Sequence, residues 1–310
     1  MKEDVVRELL KRGHLVSPET LERVDMNNID SIAREKTLVL TETQPENRLS
    51  VSVEAPIKIT TITPQDFLEH CMRRYETIRD MLLRKTEAVS VNKARKSSAP
   101  VTTIGMVREI LPSGFVLDDP TGEIDVILTG HNTIPIETGD VVAVRGNVRE
   151  EKFFAEEIML PDIPLTNAIN RIENTNLFLT TRHSAPPGLK PDDVLVSKHP
   201  LKHKHVVSCF PNPAWIAISR GANRITLLVY EPPGETTMEK ALLFLKKRYI
   251  NTEKAVLAKN SDPFLLAAVP DIFWLISKNQ WTLPYKGVTI ISCKDQDARI
   301  NLNTRDVAFL

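Results

Sequence analysis

The chain has 310 residues, and its 40 basic side chains are matched by 40 acidic ones, which leaves no formal net charge. A balanced chain has no global field to draw in nucleic acid, so any such contact has to come from a local patch. The three cysteines, Cys71, Cys209 and Cys293, stand far apart without a Cys-x-x-Cys spacing, which excludes a disulfide framework or a cysteine zinc site and suits a reducing compartment. The charged start, Met1 to Gly13, does not read as a signal peptide, and the most apolar run, Phe264 to Val269, is too short to span a bilayer. A cytoplasmic chain with no membrane partner is expected, long enough for about two or three domains.

Over residues 2–12, Val5 pairs with Leu9 and Val6 with Leu10 one turn apart, and Gly13 closes a short amphipathic helix. Ser17-Pro18-Glu19 puts a capping serine ahead of a proline at the first helical position, opening a second helix whose apolar face runs through Leu21 and Val24. Ile29, Ile32 and Ala33 suggest a third, ahead of a strand-like Thr37-Leu38-Val39-Leu40. Residues 1–45 are therefore expected to form a small helical module. Residues 46–96 read as linker and amphipathic helix: the polar, proline-containing stretch up to 61 is linker, and Thr63-Pro64-Gln65-Asp66 caps a long helix. That helix sets Phe67, Cys71, Tyr75, Ile78 and Leu82 on one face, with Arg73, Arg74, Arg79, Asp80 and Arg84 elsewhere. Docking on its own barrel is preferred to binding a partner.

From 97 to 165 the period changes. Val101 to Ile158 carries short β-branched runs separated by turn chemistry at Pro112-Ser113-Gly114, Asp119-Pro120-Thr121-Gly122 and Thr138-Gly139-Asp140. Four or five such strands within about 60 residues read as a small closed barrel of the oligonucleotide-binding (OB) type, the alternative being another all-β core. Nothing in it is catalytic. Candidate phosphate contacts are Lys93, Arg95 and Lys96, in the basic run that leads into the barrel, with Arg108, Arg145 and Arg149 on its strands. The bland reading of the run is a solvated linker. Few aromatics are on hand for base stacking: Phe115, Phe153 and Phe154.

The stretches LLKRGHLVSPETLE, FLEHCMRRYETIRDMLL with SVNKARKSS, IGMV and LDDPTGEIDVIL are followed beyond the barrel by PDIPL (Pro161 to Leu165), FPNPAWIAI (Phe210 to Ile218), VPDIFWLIS and YKGVTIISC. In that order they resemble the small subunit of archaeal family-D DNA polymerase, whose family includes the B subunits of eukaryotic replicative polymerases. The resemblance covers nearly the whole chain. It implies an α+β, multidomain fold: an N-terminal helical module, an OB barrel and, over 166–310, a calcineurin-like phosphoesterase αβ sandwich. In archaeal members that sandwich carries a two-metal nuclease acting on a DNA 3′ end, which needs aspartates, histidines and an asparagine around the metals.

The chain departs from that pattern at the ligands. The first motif, Asp-x-His after a buried strand, falls on Leu177-Phe178-Leu179-Thr180 followed by Thr181-Arg182-His183. His183 remains, but a threonine hydroxyl replaces the carboxylate and cannot bridge two divalent cations. Between His183 and Phe210 neither Gly-Asp nor Gly-Asn-His-Asp occurs, and the strand–helix units that would carry them are expected to be missing. Glu231 follows Leu227-Leu228-Val229-Tyr230 where a metal histidine is expected, and Ser277 and Asn279 stand in the place of Gly-His-x-His. The phosphoesterase domain thus reads as truncated and degenerate, with His183 the remnant of a lost metal site, no catalytic residue, no metal and no cofactor.

The run Lys198-His199-Pro200-Leu201-Lys202-His203-Lys204-His205 is dense in histidine, as a transition-metal site is. Its interleaved lysines repel a cation, so a basic loop touching phosphate, or a solvated loop, is preferred. Trp215 and Phe273 lie in apolar strand runs and read as core, whereas Trp274 and Trp281 flank the lost histidines and either fill that space or face a partner. The expected function is an inactivated, noncatalytic small subunit of a family-D-type DNA polymerase in DNA replication. Its partners would be the large catalytic subunit and single-stranded or primer–template DNA. Alternatives are a residual metal-dependent 3′–5′ exonuclease and a stand-alone single-strand-binding OB protein.

Overall fold

A computed structural model of the chain describes residues 15–16, 39–40, 48–54, 63–129, 134–250 and 262–310. They fall in two compact units, one comprising Met1–Ser50 with Ser219–Arg224 and the other Val51–Ile218 with Ile225–Leu310. In the first, β1 (Leu15–Val16) pairs in parallel with β2 (Val39–Leu40). The helices expected over 2–12, 17–24 and 29–33 lie outside the described residues. Part of the expected linker is a strand, β3 (Leu49–Glu54), whose alternation of Leu49, Val51 and Val53 with Ser50 and Ser52 is the period-2 signal of a half-buried strand.

In the second unit, α1 (Pro64–Leu83) starts as its sequence demands. The Asp66 N–H donates to Thr63 Oγ1 at 3.2 Å and the Thr63 N–H to the Asp66 carboxylate at 2.9 Å, a reciprocal capping box with proline at the first position. Its buried face differs from the one expected: it comprises His70, Arg74, Tyr75, Ile78 and Leu82, while Phe67 is 53% exposed and Cys71 only half-buried. The stripe is turned toward Arg74 because two polar side chains have a buried carboxylate to meet. Asp262 receives Arg74 Nε at 3.2 Å and lies 3.0 Å from His70 Nε2, and the Arg74 guanidinium sits 3.9 Å above the Tyr249 ring. Burial, opposed by Asp262, holds the His70 imidazole below its ordinary pKa. Tyr75, Ile78 and Leu82 then dock the helix on the body of its own unit.

The next turn of helix, α2 (Val91–Ala94), plugs the barrel formed by β4 (Val101–Leu111), β5 (Gly114–Asp119), β6 (Gly122–Leu128), β7 (Val141–Arg149) and β8 (Lys152–Met159). The strands close in the order β4-β5-β6-β8-β7, with β7 returning to β4. Only β6 and β8 run parallel, and the arrangement is consistent with an OB fold. Asp119 of the Asp-Pro-Thr-Gly turn accepts from the N–H of Thr121 at 2.8 Å and of Gly122 at 3.1 Å, and its second oxygen takes the Val91 N–H at 3.0 Å, so one carboxylate builds the turn and seats the plug. Gly114 and Gly146 are where the closed strands come nearest. A Cβ there would stand 1.8 Å from the Val126 carbonyl oxygen or 2.0 Å from that of Phe154.

The run Val141-Val142-Ala143-Val144 is apolar at every position because it serves two cores. Val142 and Val144 point into the barrel with Phe115, Leu117 and Phe153, whereas Val141 and Ala143 join Tyr75, Ile78, Phe244, Leu245 and Phe273 outside it. The outer core belongs to an αβ region of two sheets. The first contains β9 (Asn176–Thr180), β10 (Val194–Ser197) and β11 (Val206–Ser208), all parallel, with β17 (Ala298–Asn301) and β18 (Val307–Phe309) added antiparallel in the order β11-β10-β9-β17-β18. The second has the order β15-β16-β14-β13-β12-β3, where β12 is Ala214–Arg220, β13 Asn223–Tyr230, β14 Ile272–Leu275, β15 Trp281–Tyr285 and β16 Val288–Ser292; β13, β14 and β16 are parallel. The helix α3 (Met238–Lys247) follows β13. Between His183 and Phe210 the strands β10 and β11 are present and the helices are not, which corrects the expectation that whole strand–helix units are missing.

Two ion pairs join the barrel to this region. Lys247, in the last turn of α3, reaches Asp140 at 2.7 Å and Glu137 at 3.0 Å; its side chain is 3% exposed and that of Asp140 1%. Burial pushes the Asp140 carboxyl up from its ordinary pKa, opposed by Lys247. Beyond the barrel, Asp162 accepts from Tyr285 Oη at 2.9 Å and Lys286 Nζ at 2.5 Å.

A candidate site at the carboxyl ends of the parallel strands

Ligands of open αβ sheets gather at the carboxyl ends of parallel strands. Here the ends of β9, β10, β13 and β16, drawn from both sheets, are stitched together. Thr181, after β9, donates its hydroxyl to the Lys294 carbonyl beyond β16. Glu231, immediately after β13, carries a carboxylate 25% exposed that is shared by two ammonium groups: Lys198, just past β10, on Oε2, and Lys294 at 3.2 Å on Oε1. Asn212 clamps the Glu231 backbone, accepting its N–H at 2.9 Å and donating to its carbonyl at 2.7 Å. Burial first, and then the nearby Lys294 charge, hold the Lys198 ammonium below its ordinary pKa.

Around this triad the other expected residues take structural roles. Arg182 donates to the Asp295 carbonyl at 3.1 and 2.9 Å and stands 3.6 Å from Asp297. His183 is exposed and stacks on His199 with ring centroids 3.7 Å apart. Ser277 is buried and accepts from the Thr236 N–H at 3.4 Å, and the Asn279 carbonyl accepts from Ser292 Oγ at 2.5 Å. Trp274 is fully buried, with its indole N–H on the Cys293 carbonyl at 3.2 Å and its ring edge-on to Phe210; Trp281 and Phe273 are buried as well, which removes all three as exposed partner anchors, while Trp215 is partly buried against the core. Burial pushes the Cys293 thiol up to about 12, far from the thiolate a ligand or nucleophile needs.

Among the described residues, the other histidines of the 198–205 run do not gather into a metal site. His203 lies 2.7 Å from the Asp193 carbonyl and edge-on to His205, 6.5 Å between centroids, while Lys204 faces Asp192 at 3.5 Å. Among the described residues, no three or more His, Cys, Asp or Glu side chains are gathered to hold a metal ion. The donor set at the strand ends does not fit a two-metal centre: two ammonium groups on one carboxylate repel divalent cations.

On the barrel, the six candidate cations separate. Arg95 and Arg108 both turn to Glu123, the former to its carbonyl and the latter to its carboxylate. Lys93, Lys96, Arg145 and Arg149 are exposed and their side chains make no hydrogen bond or ion pair among the described residues, the first two at α2 and the others along β7. The outward side chains of β5 and β6 include Asp118, Glu123 and Asp125. Phe115 and Phe153 fill the barrel interior and cannot stack on bases; Phe154, half-buried, is the one of the three that reaches the surface.

The sequence reading missed the Lys198–Glu231–Lys294 triad. Its signal was the placement of each charged residue at the end of an apolar strand run. Among the described residues no helix is long and apolar enough to cross a membrane.

No family model matches the chain. It is similar to the DNA polymerase II small subunit of Archaeoglobus fulgidus, at 28% identity over 127 residues, which covers 38% of this chain and 26% of that protein. The chain is thus distantly related to an archaeal polymerase small subunit and spans about a quarter of the length of that relative.

Proposed function

We propose that the chain is a noncatalytic accessory subunit of a family-D-type DNA polymerase, acting in DNA replication in the cytoplasm. Its αβ region over 166–310 is read as a calcineurin-like phosphoesterase domain that has lost its chemistry, and 97–165 as an OB domain. The observation that carries this reading is the triad at the strand ends: Lys198 and Lys294 share Glu231 where a hydrolase of that family would gather carboxylates and histidines around metal. The apolar strands around it remain closely packed, as expected of a domain retained for shape and contacts.

The partner is a large catalytic chain of the same polymerase type. The distant similarity to an archaeal small subunit supports that assignment. DNA contact through Lys93, Lys96, Arg145 and Arg149 would be sequence-tolerant and weakened by salt, since these side chains offer charge and the barrel offers little aromatic surface. Co-expression with the large family-D subunit of the same cell, followed by size-exclusion chromatography, tests the assembly role. Co-elution is expected, and separate elution of a demonstrably folded small chain removes it.

A further inference from the structure

The amino end of β16 borders a feature unrelated to the lysine triad. A cleft of about 440 Å³ opens between the Lys286–Gly287 turn, the turn joining β17 to β18, and residues 169–171. Ile169 and Val307 give it apolar wall, and its charged lining is three cations, Arg171, Lys286 and Arg305, against the single carboxylate of Asp306. That volume and mixture suit a small organic ligand held by a few polar groups.

The cations differ in what they have left to give. The Lys286 ammonium is committed to Asp162 at 2.5 Å and the Ile163 carbonyl at 3.2 Å. Arg171 is exposed and makes no hydrogen bond or ion pair among the described residues. Arg305 is the unusual one. Its side chain is 9% exposed; Nη2 is taken by the Asn170 carbonyl and lies 3.5 Å from Asp271, but Nε and Nη1 are buried with no acceptor. Buried guanidinium donors are normally paired, because desolvating them without an acceptor is costly. Arg305 also sits at φ +69°, a conformation easier for glycine or asparagine, so the turn itself gives no reason for an arginine. Asp306 accepts from Thr304 Oγ1 at 2.6 Å and keeps its charge, but the three cations of the lining outnumber it.

We propose that this cleft binds a small organic oxyanion, a carboxylate or phosphate carried on an apolar body, with Arg305 and Arg171 supplying the donors. The anion meets the donors that the fold leaves over, and the apolar body lies against Ile169 and Val307. The proposal is independent of the polymerase reading, because it uses neither the strand-end triad nor the barrel.

Calorimetric titration of the full chain with phenyl phosphate and, separately, benzoate tests it, with chloride added to equalise ionic strength. At least one probe is expected to bind with a Kd below about 1 mM, and the preferred probe tells which oxyanion the cleft takes. Arg171→Ala should weaken binding at least about tenfold at an unchanged melting temperature. Arg305→Lys, which keeps the charge and loses the fork, should weaken it comparably. If Arg305→Lys does not fold, Arg171→Ala carries the test alone. Absence of binding by both probes overturns the proposal, as does binding that Arg171→Ala leaves unchanged.

Discussion

Two lysine–carboxylate clusters in the same unit have opposite stoichiometry. At the junction of barrel and αβ region, one lysine, Lys247, serves two carboxylates, Asp140 and Glu137, with Lys247 and Asp140 almost wholly out of water. At the strand ends one carboxylate, Glu231, serves two lysines, and all three are partly exposed. The first is a structural pin: in a buried site neither charge can do without the other. The second is a solvent-facing, net positive group whose worth to stability is small, and whose charge is the reverse of what a metal site requires. Burial and charge balance, more than residue type, distinguish a fold-holding pair from a solvent-facing charge group.

Breaking the pin should have the largest effect. Lys247→Met leaves Asp140 buried without its partner and is expected to destabilise the unit by about 3–5 kcal/mol in urea unfolding. The double variant with Asp140→Asn should recover much of that loss, because the unpaired charge is gone. Equal losses in single and double variants would mean that packing, not the ion pair, sets the cost.

An intermediate effect belongs to Asp162, and it depends on pH. Burial alone would raise its carboxyl, but hydrogen bonds from Lys286, the Ile163 N–H and Tyr285 outweigh that and hold it below the ordinary carboxylate range. The folded chain therefore keeps Asp162 charged at pH values where the unfolded chain takes up a proton. The stability it contributes is present above about pH 4 and lost as pH falls through the lower folded value. Asp162→Asn should flatten the decline of urea midpoints between about pH 5 and 3; an identical decline in both proteins would assign the acid sensitivity elsewhere.

The smallest effect is expected at the strand ends. Glu231→Gln removes the shared counter-charge, yet exposure of all three side chains keeps the expected loss below about 1 kcal/mol in the same assay. A loss as large as that of Lys247→Met would erase the contrast between the clusters.

The parts of the molecule differed in how far local order revealed them. The barrel was legible because each of its turns carries its own chemistry, as Asp119 does for the Asp-Pro-Thr-Gly turn. The cap of α1 was legible for the same reason: Thr63 and Asp66 are three residues apart. Its buried face was not, because the partner of His70 and Arg74 is Asp262, far along the chain, and apolar periodicity passes over polar side chains that go inward. Strands β10 and β11 escaped notice because they are short and joined by a lysine- and histidine-rich segment that reads as a loop. Trp274 was seen beside the positions where the resemblance calls for ligands, but its complete burial against Cys293 depends on packing between strands. At the candidate site Glu231 and Lys198 were each in view. What joins them to Lys294 is the meeting of strand ends from two sheets, which no linear spacing records.

We propose that the strand-end site performs no metal-dependent phosphodiester chemistry. The most direct test is incubation of the purified chain with manganese and a single-stranded DNA labelled at the 5′ end, with the retained metal measured in parallel. The 3′ end is expected to stay intact, with no stoichiometric metal retained. Manganese-dependent shortening of the 3′ end that co-purifies with the chain and is abolished by His183→Ala would contradict it.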